Sequence, residues 1–590
     1  MDRTKVWEDE IEEICWQLTP PLLFASIDSW YYPQGDSEEH RLEASRRITA
    51  ARRWVNQDVP SLLERLHSCI LEKGQESRNS VSLEVKSSIV IATAVYISPR
   101  REQEAENFEG NSSSNSREPW ITGANTKLAK TILCHPIVSL EPLQLPGPVC
   151  LDTALVSYLL EVYIKPLFQS TPSRKINAST GRATKVDRNI SDSAGLSSSA
   201  ALMEDEIVWK GGDVEHAANM KILGSDLLFE VKSQPSFLQR RHRALGSSSV
   251  LYICFLSIHA FHITGSSSWD HFWPLVLPPV LTLLEDSSPL YRLLGSQILN
   301  TTLFCNNEKG ALVGSLLLRT GVAALLRQTL ESSLTFISAK LSAPLLQSAA
   351  KSLILLSQIT TTDLRSNPSM SLNVNKDGGR ERFAQLSKVV DDGVLRVWAY
   401  APASVSALDS EEVIMHTDKA IGIRVDGQEK EANDVVNASI DVLTRLTQPD
   451  ALGLCIARYL DVTLDFLTTQ LIGLESKLER RKEAKKDIVS LEREICSARA
   501  IESLLLVCRR APGLRTWSSR CLDGVVRCWT VLQERQKNTQ VQVLFVHLDG
   551  IIKALVEAQP GLLQQQLQKL LDLDEEIFSP LVSNKLTMKK

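Results

Sequence analysis

The sequence predicts an all-α protein built from stacked helical hairpins. Apolar residues recur at steps of three and four along most of the chain, which makes one face of a helix apolar. Strand patterns are scarce: residues 81–92 begin with alternating apolar positions, but they fit a helix equally well. The chain has 590 residues, more than one hydrophobic core usually serves, so we expect several domains or an elongated stack of repeats.

The composition is that of an ordinary globular protein, with 43% hydrophobic and 23% charged residues. The formal net charge is −5, whereas a general nucleic-acid binder usually carries a basic surplus, so we expect no direct nucleic-acid partner. Residues 250–264 form the longest uncharged apolar stretch, which is shorter than the roughly 20 residues that cross a bilayer. We predict a buried helix there and no membrane partner.

The cysteines indicate a reducing compartment. There are 11 of them, an odd number, with no CxxC pair, and most lie in apolar helical contexts such as Cys521 and Cys528. We interpret them as reduced core thiols of a cytoplasmic protein, with the nucleus as a second compartment. His259 and His262 share a helix face but have no third ligand nearby, so we expect no metal and no cofactor.

Composition also divides the chain into five predicted regions, because polar stretches rich in Ser, Thr, Asn and Gly alternate with apolar helical ones. In chain order they are an N-terminal helical region at 1–165 with a polar insert near 99–118, a flexible linker at 166–210, a central region at 211–360, polar inserts around a short helix at 361–434, and a C-terminal helical region at 435–590.

Several boundaries are predicted within the last region. A turn is expected at 448–450 and a helix end at 511–513, from their Pro and Gly residues. The charged stretch 475–494 could bind nucleic acid, but interleaved acids favour a solvated helix with ion pairs four residues apart. Further helices are predicted around 515–534, 539–558 and 561–573.

A helical hairpin in the central region is the most informative stretch. Pro278 and Pro279 suit the first turn of a helix, where no amide donor is needed. Leu277, Leu281 and Leu284 then fall on one face of that helix. We predict that this face packs against the helix that follows.

The second helix of the hairpin has its own start pattern, with Ser288 as the cap and Pro289 at the first position. Gly295 costs about 1 kcal/mol relative to alanine inside a helix, so we expect a close helix crossing there. Asp286 in the turn and Arg292 six residues later match the HEAT-repeat pattern, in which they bond within and between turns. Such hairpins need stacked neighbours, so the fold class predicted is an irregular α-solenoid of HEAT-like hairpins with disordered polar inserts.

A third helix is predicted to begin at residues 318–322. Together, residues 277–286, 291–295 and 317–322 resemble the core motif of the Tel-two-interacting protein family, second member. Glu285 and Val322 are mild departures from the family pattern, which has Asp and Leu there. The motif residues, which we interpret as mainly structural, are Leu277, Pro278, Pro279, Leu281, Leu284, Asp286, Arg292, Gly295, Arg319, Thr320 and Gly321, with Thr320 predicted to cap the third helix.

The resemblance implies a function that residue spacing does not. Members of that family are subunits of the Triple-T cochaperone complex, together with the Tel-two protein and the first Tel-two-interacting protein. That complex works with the heat-shock chaperone machinery and supports maturation and stability of phosphatidylinositol-kinase-related kinases, which affects the DNA-damage response and telomere maintenance. The resemblance therefore implies a non-enzymatic scaffold with protein partners.

Two other functions remain open from the sequence. A generic HEAT-repeat adaptor in trafficking or nuclear transport would bind a small GTPase or transport-signal peptides, but the repeating Trp-Asn positions of an importin-like groove are absent. A hydrolase or transferase could lie within residues 1–160, although no arrangement there suggests a mechanism. Asp286 and Arg292, and the aromatic run 269–273, could also contact a partner, but structural roles are favoured for both.

Overall fold

The computed structural model describes the chain in fifteen segments, and all structural statements below concern them. They are residues 3–18, 53–74, 81–97, 122–139, 150–168, 248–264, 269–286, 289–303, 316–336, 341–361, 376–400, 419–483, 490–511, 513–533 and 538–586. The predicted insert near 99–118 lies outside them, as does the predicted linker at 166–210 apart from its first three residues, which are helical.

The predicted all-α fold is confirmed. Regular structure in the described segments is helical, and extended pairing among them is limited to one isolated antiparallel bridge between Ser139 and Leu151. The ambiguous stretch 81–92 is a helix, whose start is capped by Ser82 as its hydroxyl accepts a hydrogen bond from the amide of Val85 at 3.3 Å. The chain divides into two compact units, 1–329 and 330–590, whereas the five predicted regions remain a prediction.

The first unit contains the amino-terminal helices and the predicted hairpin. Its helices are α1 (Arg3–Leu18), α2 (Val59–Gly74), α3 (Leu83–Ala94), α4 (Gly123–Leu133), α5 (Thr153–Tyr158), α6 (Ser248–Thr264), α7 (Trp269–Leu284), α8 (Pro289–Leu303) and α9 (Val322–Ser333), the last of which crosses the boundary to the second unit. A π-helical turn, Trp54–Asp58, precedes α2, and a second one, Leu159–Ile164, extends α5 into Lys165–Phe168.

Helix α6 is the buried helix that the apolar run predicted. The side chains of residues 250–255 and of Ile258 are buried, and the helix contacts α3, α5, α7 and α8. The Ser257 hydroxyl accepts a hydrogen bond from the Leu151 amide at 2.9 Å and donates one to the Ile253 carbonyl. The predicted histidine pair falls in the carboxyl end of α6, whose side chains lie outside the described part.

The second unit contains the remaining helices. They are α10 (Ser342–Thr361), α11 (Lys376–Val390), α12 (Lys419–Leu446), α13 (Leu460–Ile472), α14 (Leu474–Glu483), α15 (Glu492–Cys508), α16 (Leu514–Leu532), α17 (Thr539–Ala558), α18 (Pro560–Leu573) and α19 (Glu575–Leu586). A π-helical turn, Asp391–Leu395, extends α11, and a 3-10 turn, Gly453–Tyr459, leads into α13.

Two layers of parallel helices build the second unit. Helices α10, α12, α15 and α17 contact one another in that order and form the first layer, while α13 contacts α16 in the second. Residue numbers rise together across each neighbouring pair: Asn433 and Asp441 of α12 bond Arg493 and Arg499 of α15. Alternate helices that stack in parallel are the arrangement of a helical-hairpin solenoid.

The buried interior between the layers includes one aromatic pair. Trp398 stacks on Phe466 with ring centroids 4.1 Å apart and an interplanar angle of 6°. The Trp398 indole also donates a hydrogen bond to the buried hydroxyl of Ser439 at 2.8 Å. This contact joins α12 and α13 to the segment that follows α11.

Predicted turns in this unit are found where they were expected. Backbone hydrogen bonds at Gln448–Leu452 and at Ala511–Leu514 separate consecutive helices. The region predicted as polar inserts at 361–434 contains more helix than expected, because α11 begins at Lys376 and α12 begins at Lys419. Residues 428–432 of α12 are good helix formers, which favours extending the helix although this turn carries little apolar surface.

The charged stretch 475–494 also differs from the prediction of one solvated helix. It contains α14, an interval at 484–489 outside the described residues, and the start of α15. Lys477 pairs with the almost fully buried Glu494 at 2.7 Å and also donates to the Ser490 carbonyl at 3.2 Å. One cation of this stretch therefore joins two helices, because tertiary packing brings together charges 17 residues apart.

Candidate functional site

The motif hairpin is packed as a structural element. Leu277, Leu281 and Leu284 are at most 2% exposed, so the predicted apolar face of α7 is buried. On α8, Leu293 and Ile298 are buried in turn, and the two helices contact each other and α6. Burying a leucine side chain contributes about 1.5–3 kcal/mol.

Helix α7 begins earlier than predicted. It starts at Trp269, so Pro278 and Pro279 lie inside the helix and not in its first turn, as does Pro274. A proline inside a helix normally costs about 3 kcal/mol because it lacks the amide donor. Burial of Phe272 and other apolar residues on the earlier turns offsets this cost, which sequence rules for proline do not take into account.

The predicted close crossing at Gly295 is present. A Cβ atom built there would lie 3.0 Å from the Leu283 Cβ atom and 3.1 Å from both the Leu284 amide nitrogen and its Cγ atom. Those distances are tighter than ordinary contacts, so α8 approaches the end of α7 at a position that only glycine fits without a shift. Pro289 is the first residue of α8, as predicted, while Ser288 lies outside the described residues.

The Arg292 side chain bonds to the backbone of the turn. The Arg292 Nε atom donates to the carbonyl oxygen of Asp286 at 2.5 Å, and the side chain is half-buried. Burial lowers the pKa of Arg292 while the nearby carboxylates of Asp286 and Glu285 oppose that shift. The pair therefore closes the interhelical turn, since Arg292 supplies a donor to a carbonyl at the carboxyl end of α7.

The third motif segment also differs in detail from the prediction. Residues 316–320 form a short helical turn, and the buried Thr320 hydroxyl donates back to the Leu316 carbonyl at 2.8 Å. The prediction that Thr320 caps α9 was therefore wrong, because its hydroxyl is directed into the preceding turn. Gly321 has φ of +71°, and this left-handed residue separates the turn from α9. Exposed Arg319 pairs with Asp270 in the first turn of α7.

A line of polar contacts crosses the first layer of the second unit. Asp441 of α12 accepts hydrogen bonds from Gln347 of α10, at 3.2 Å, and from Arg499 of α15. Burial raises the pKa of Asp441, and the bonds from Arg499, Cys496 and Gln347 oppose this rise. The side chain thus joins three parallel helices while remaining one-third exposed.

The same layer has further contacts of this kind toward its carboxyl-terminal end. Glu502 of α15 lies 2.9 Å from the Nδ1 atom of His547 on α17, and the Leu491 amide bonds Gln540 at 3.2 Å. Gly550 permits the first contact, because a Cβ atom there would overlap the Glu502 carboxylate. We define the ladder as Gln347, Asp441, Arg499, Glu502 and His547, a row of charged and polar side chains that runs across successive helices.

No pattern in the sequence indicated the ladder. Helical periodicity identifies apolar positions, whereas the ladder residues are polar and lie 45 to 94 residues apart in each pair. Predicting which of these polar residues meet would have required knowing which helices stack in parallel. Partial exposure makes the ladder a surface that a protein partner can contact.

The described side chains include few groups suited to chemistry. Cys508, Cys521 and Cys528 are buried, and burial raises the pKa of each thiol, to about 11 for Cys508 and about 12 for Cys521, so they lie packed in the core as predicted. Within the described segments, no three His, Cys, Asp or Glu side chains are grouped as a metal site would require. No helix among them is both long and apolar enough to cross a membrane.

The aromatic run at the start of α7 has two environments. Phe272 and Trp273 are buried, at 0% and 4% exposure, which is the core packing that was favoured for them. Asp270 and His271 are exposed. The buried aromatic residues therefore stabilise the hairpin.

The fold and this surface define a class: an all-helical, solenoid-like protein whose described motif residues hold hairpins together and whose polar ladder lies across stacked helices. Residues 234–473 match the model of the Tti2 family, and this part of the chain is similar to that family. The match includes the motif hairpin, α10 and α12 of the first layer, and α13 of the second. No curated protein and no solved structure matches the chain significantly. This match supports a role as a subunit of the Triple-T complex.

Proposed function

We propose that this protein is a non-enzymatic cochaperone scaffold subunit of the Triple-T complex. Its direct partners are the Tel-two protein and the first Tel-two-interacting protein, and it supports maturation and stability of phosphatidylinositol-kinase-related kinases together with the heat-shock chaperone machinery. The family match over residues 234–473 is the observation that carries this proposal. The place of action proposed is the cytoplasm, with the nucleus as a second compartment.

The geometry supports a binding role for the second unit. Parallel helices present side chains in regular rows, and a row that crosses four helices is longer than a single helix pair can offer. Asp441 and Arg499 already form an ion pair, so a partner gains affinity at the ladder by contacting their exposed edges. We assign the ladder to the partner-facing surface of this unit.

Co-purification of the tagged full-length chain from its own cells tests the proposal. We expect the Tel-two protein and the first Tel-two-interacting protein to be recovered in near-equal amounts, and depletion of the chain to lower the abundance of the related kinases. A matched pair of variants sharpens the test: Arg499→Glu at the ladder should reduce recovery, whereas Arg65→Glu, an exposed ion-pair arginine of the first unit, should not.

Two outcomes would contradict the proposal. Recovery without either subunit, with unchanged kinase levels after depletion, would exclude membership of this complex. Recovery of a small GTPase or of transport-signal proteins in their place would favour the generic adaptor. Equal recovery with Arg499→Glu and Arg65→Glu would move the partner-facing surface away from the ladder while leaving the complex itself in place.

A further inference from the structure

An arginine-rich turn joins α15 to α16. Arg509 and Arg510 directly follow α15, Arg515 lies in the first turn of α16, and all three side chains are exposed. The turn is tight, because the Ala511 amide bonds the Cys508 carbonyl at 2.8 Å. Three guanidinium groups therefore lie within seven consecutive residues.

These arginines are among the arginines of the described segments that have no carboxylate partner. No ion pair joins Arg509, Arg510 or Arg515 to any described residue, whereas seven other arginines have one. Those pairs are Arg65 with Glu10, Arg319 with Asp270, Arg396 with Asp392, Arg445 with Asp450, Arg499 with Asp441, Arg520 with Asp465, and Arg527 with Asp523.

The nearest acids of α13 are already bonded to other groups of α16. Asp461, beside the turn, accepts a hydrogen bond from the Trp517 indole at 2.6 Å. Asp465 pairs with Arg520 at 2.6 Å, and the Arg520 guanidinium also lies 5.3 Å from the centre of the Trp517 ring. The positive charge of the turn is thus only partly balanced within the described part of this unit.

Helix stability does not account for all three charges. Cations near the carboxyl end of a helix are favourable, which suits Arg509 and Arg510 at the end of α15. Arg515 lies at the amino end of α16, where the same dipole disfavours a cation. The amide groups of the first turn of α16 add to the positive potential there, so the turn as a whole attracts negative charge.

An exposed leucine lies next to the charges. Leu506 is 48% exposed and precedes Arg509 and Arg510 by three and four residues, so the three share one helix face. We name Leu506, Arg509, Arg510 and Arg515 the arginine turn. An apolar side chain beside unpaired arginines complements a peptide that carries both carboxylates and an apolar residue.

We propose that the arginine turn is a docking surface for an acidic helical segment of a protein partner, with Leu506 as the apolar anchor. Arginine pairs with carboxylates through two parallel hydrogen bonds, which favours a peptide carrying Asp or Glu at each turn of its helix. A long nucleic acid is disfavoured, because the whole chain carries a net charge of −5. The surface rests on the proposed function only for the idea that the chain works in a complex.

Fluorescence anisotropy with the full-length chain tests this surface directly. The probe is a labelled helical peptide of about 16 residues, long enough for four turns, with Glu on two faces and Leu on a third, and its control replaces every Glu by Gln. The variants are the chain with Glu at all three arginines of the turn and a matched control with the same charge change on exposed cations of the first unit, Arg53→Glu, Lys127→Glu and Lys165→Glu.

We expect the acidic peptide to bind the wild-type chain at least about tenfold more tightly than the Gln peptide, and to weaken as salt rises. The turn variant should lose at least about tenfold in affinity, Leu506→Ser about threefold, and the control variant less than about twofold. Circular dichroism of each variant checks that it is folded, and exposure of every substituted side chain favours that result.

Three results would overturn the surface. They are no binding of the acidic peptide, equal losses in the turn and control variants, or tighter turn-dependent binding of duplex DNA or phosphatidylserine vesicles. No other Triple-T subunit is used in this assay, so its failure is distinguishable from failure of the proposed function, which the co-purification tests separately.

Discussion

Replacing Gly295 by alanine sets two opposing effects against each other. Alanine favours a helix over glycine by about 1 kcal/mol, so propensity alone predicts a more stable α8. The added Cβ atom would lie 3.0 Å from the Leu283 Cβ atom and 3.1 Å from the Leu284 amide, neither of which is the flexible end of a side chain. Overpacking of that kind costs about 1–3 kcal/mol, so we expect a net loss of about 1 kcal/mol.

Hydrogen exchange measured by mass spectrometry reports this loss locally, which suits a chain of two units better than one unfolding midpoint. A loss of about 1 kcal/mol should speed exchange of the α7 and α8 amides about fivefold. Gly123→Ala in the first turn of α4 is the matched control, because nothing lies within 4 Å of a Cβ atom there. Unchanged or slower exchange in α7 and α8 of the Gly295 variant would refute the close-crossing argument.

Four further predictions concern polar groups and thiols. Arg292→Met keeps the apolar stem but removes the donor to the turn, so the α7–α8 amides should exchange faster by a factor equivalent to about 1–3 kcal/mol, and unchanged exchange would contradict that role. Arg499→Met should lower the unfolding temperature more than Asp441→Asn, because it leaves a partly buried carboxylate without its cation. Burial raises the pKa of Asp441 in the folded state, so the charged carboxylate costs stability only at a pH above its unfolded pKa near 3.8. Urea titrations should therefore show Asp441→Asn gaining stability relative to wild type as the pH rises from about 3 to about 7. At a pH of about 8 a maleimide should label exposed Cys455 well before buried Cys521, whose pKa is raised to about 12, and equal rates by peptide mapping would refute that packing.

The α7–α8 hairpin shows which features local sequence rules predict correctly and which they do not. The apolar face of α7, the first residue of α8 and the close crossing at Gly295 were all predicted, because each depends on spacing or on one residue type. The start of α7 and the role of Thr320 were not predicted correctly. In both cases burial outweighed a local preference: the buried Phe272 and Trp273 favour a helix that continues through the prolines, and the buried Thr320 hydroxyl bonds a carbonyl of the preceding turn.

Neither the ladder nor the arginine turn could be predicted from the sequence, and the reasons differ. Asp441 and Arg499 meet because α12 and α15 stack in parallel, a relation that no local pattern encodes. The three arginines of the turn are visible in the sequence, but their meaning depends on the acids around them being absent or already bonded. Whether an arginine has a carboxylate partner is decided by the packed structure.

The sequence by itself determined the helical class and the family resemblance, since periodicity and the motif around Leu277 to Gly321 are local properties of the chain. Tertiary structure decided which polar residues share a surface. Helix formation follows from residues three and four apart, which are always neighbours along a helix. Contacts between helices depend on which faces stack and in which direction, and that is settled only when all the apolar faces are buried together.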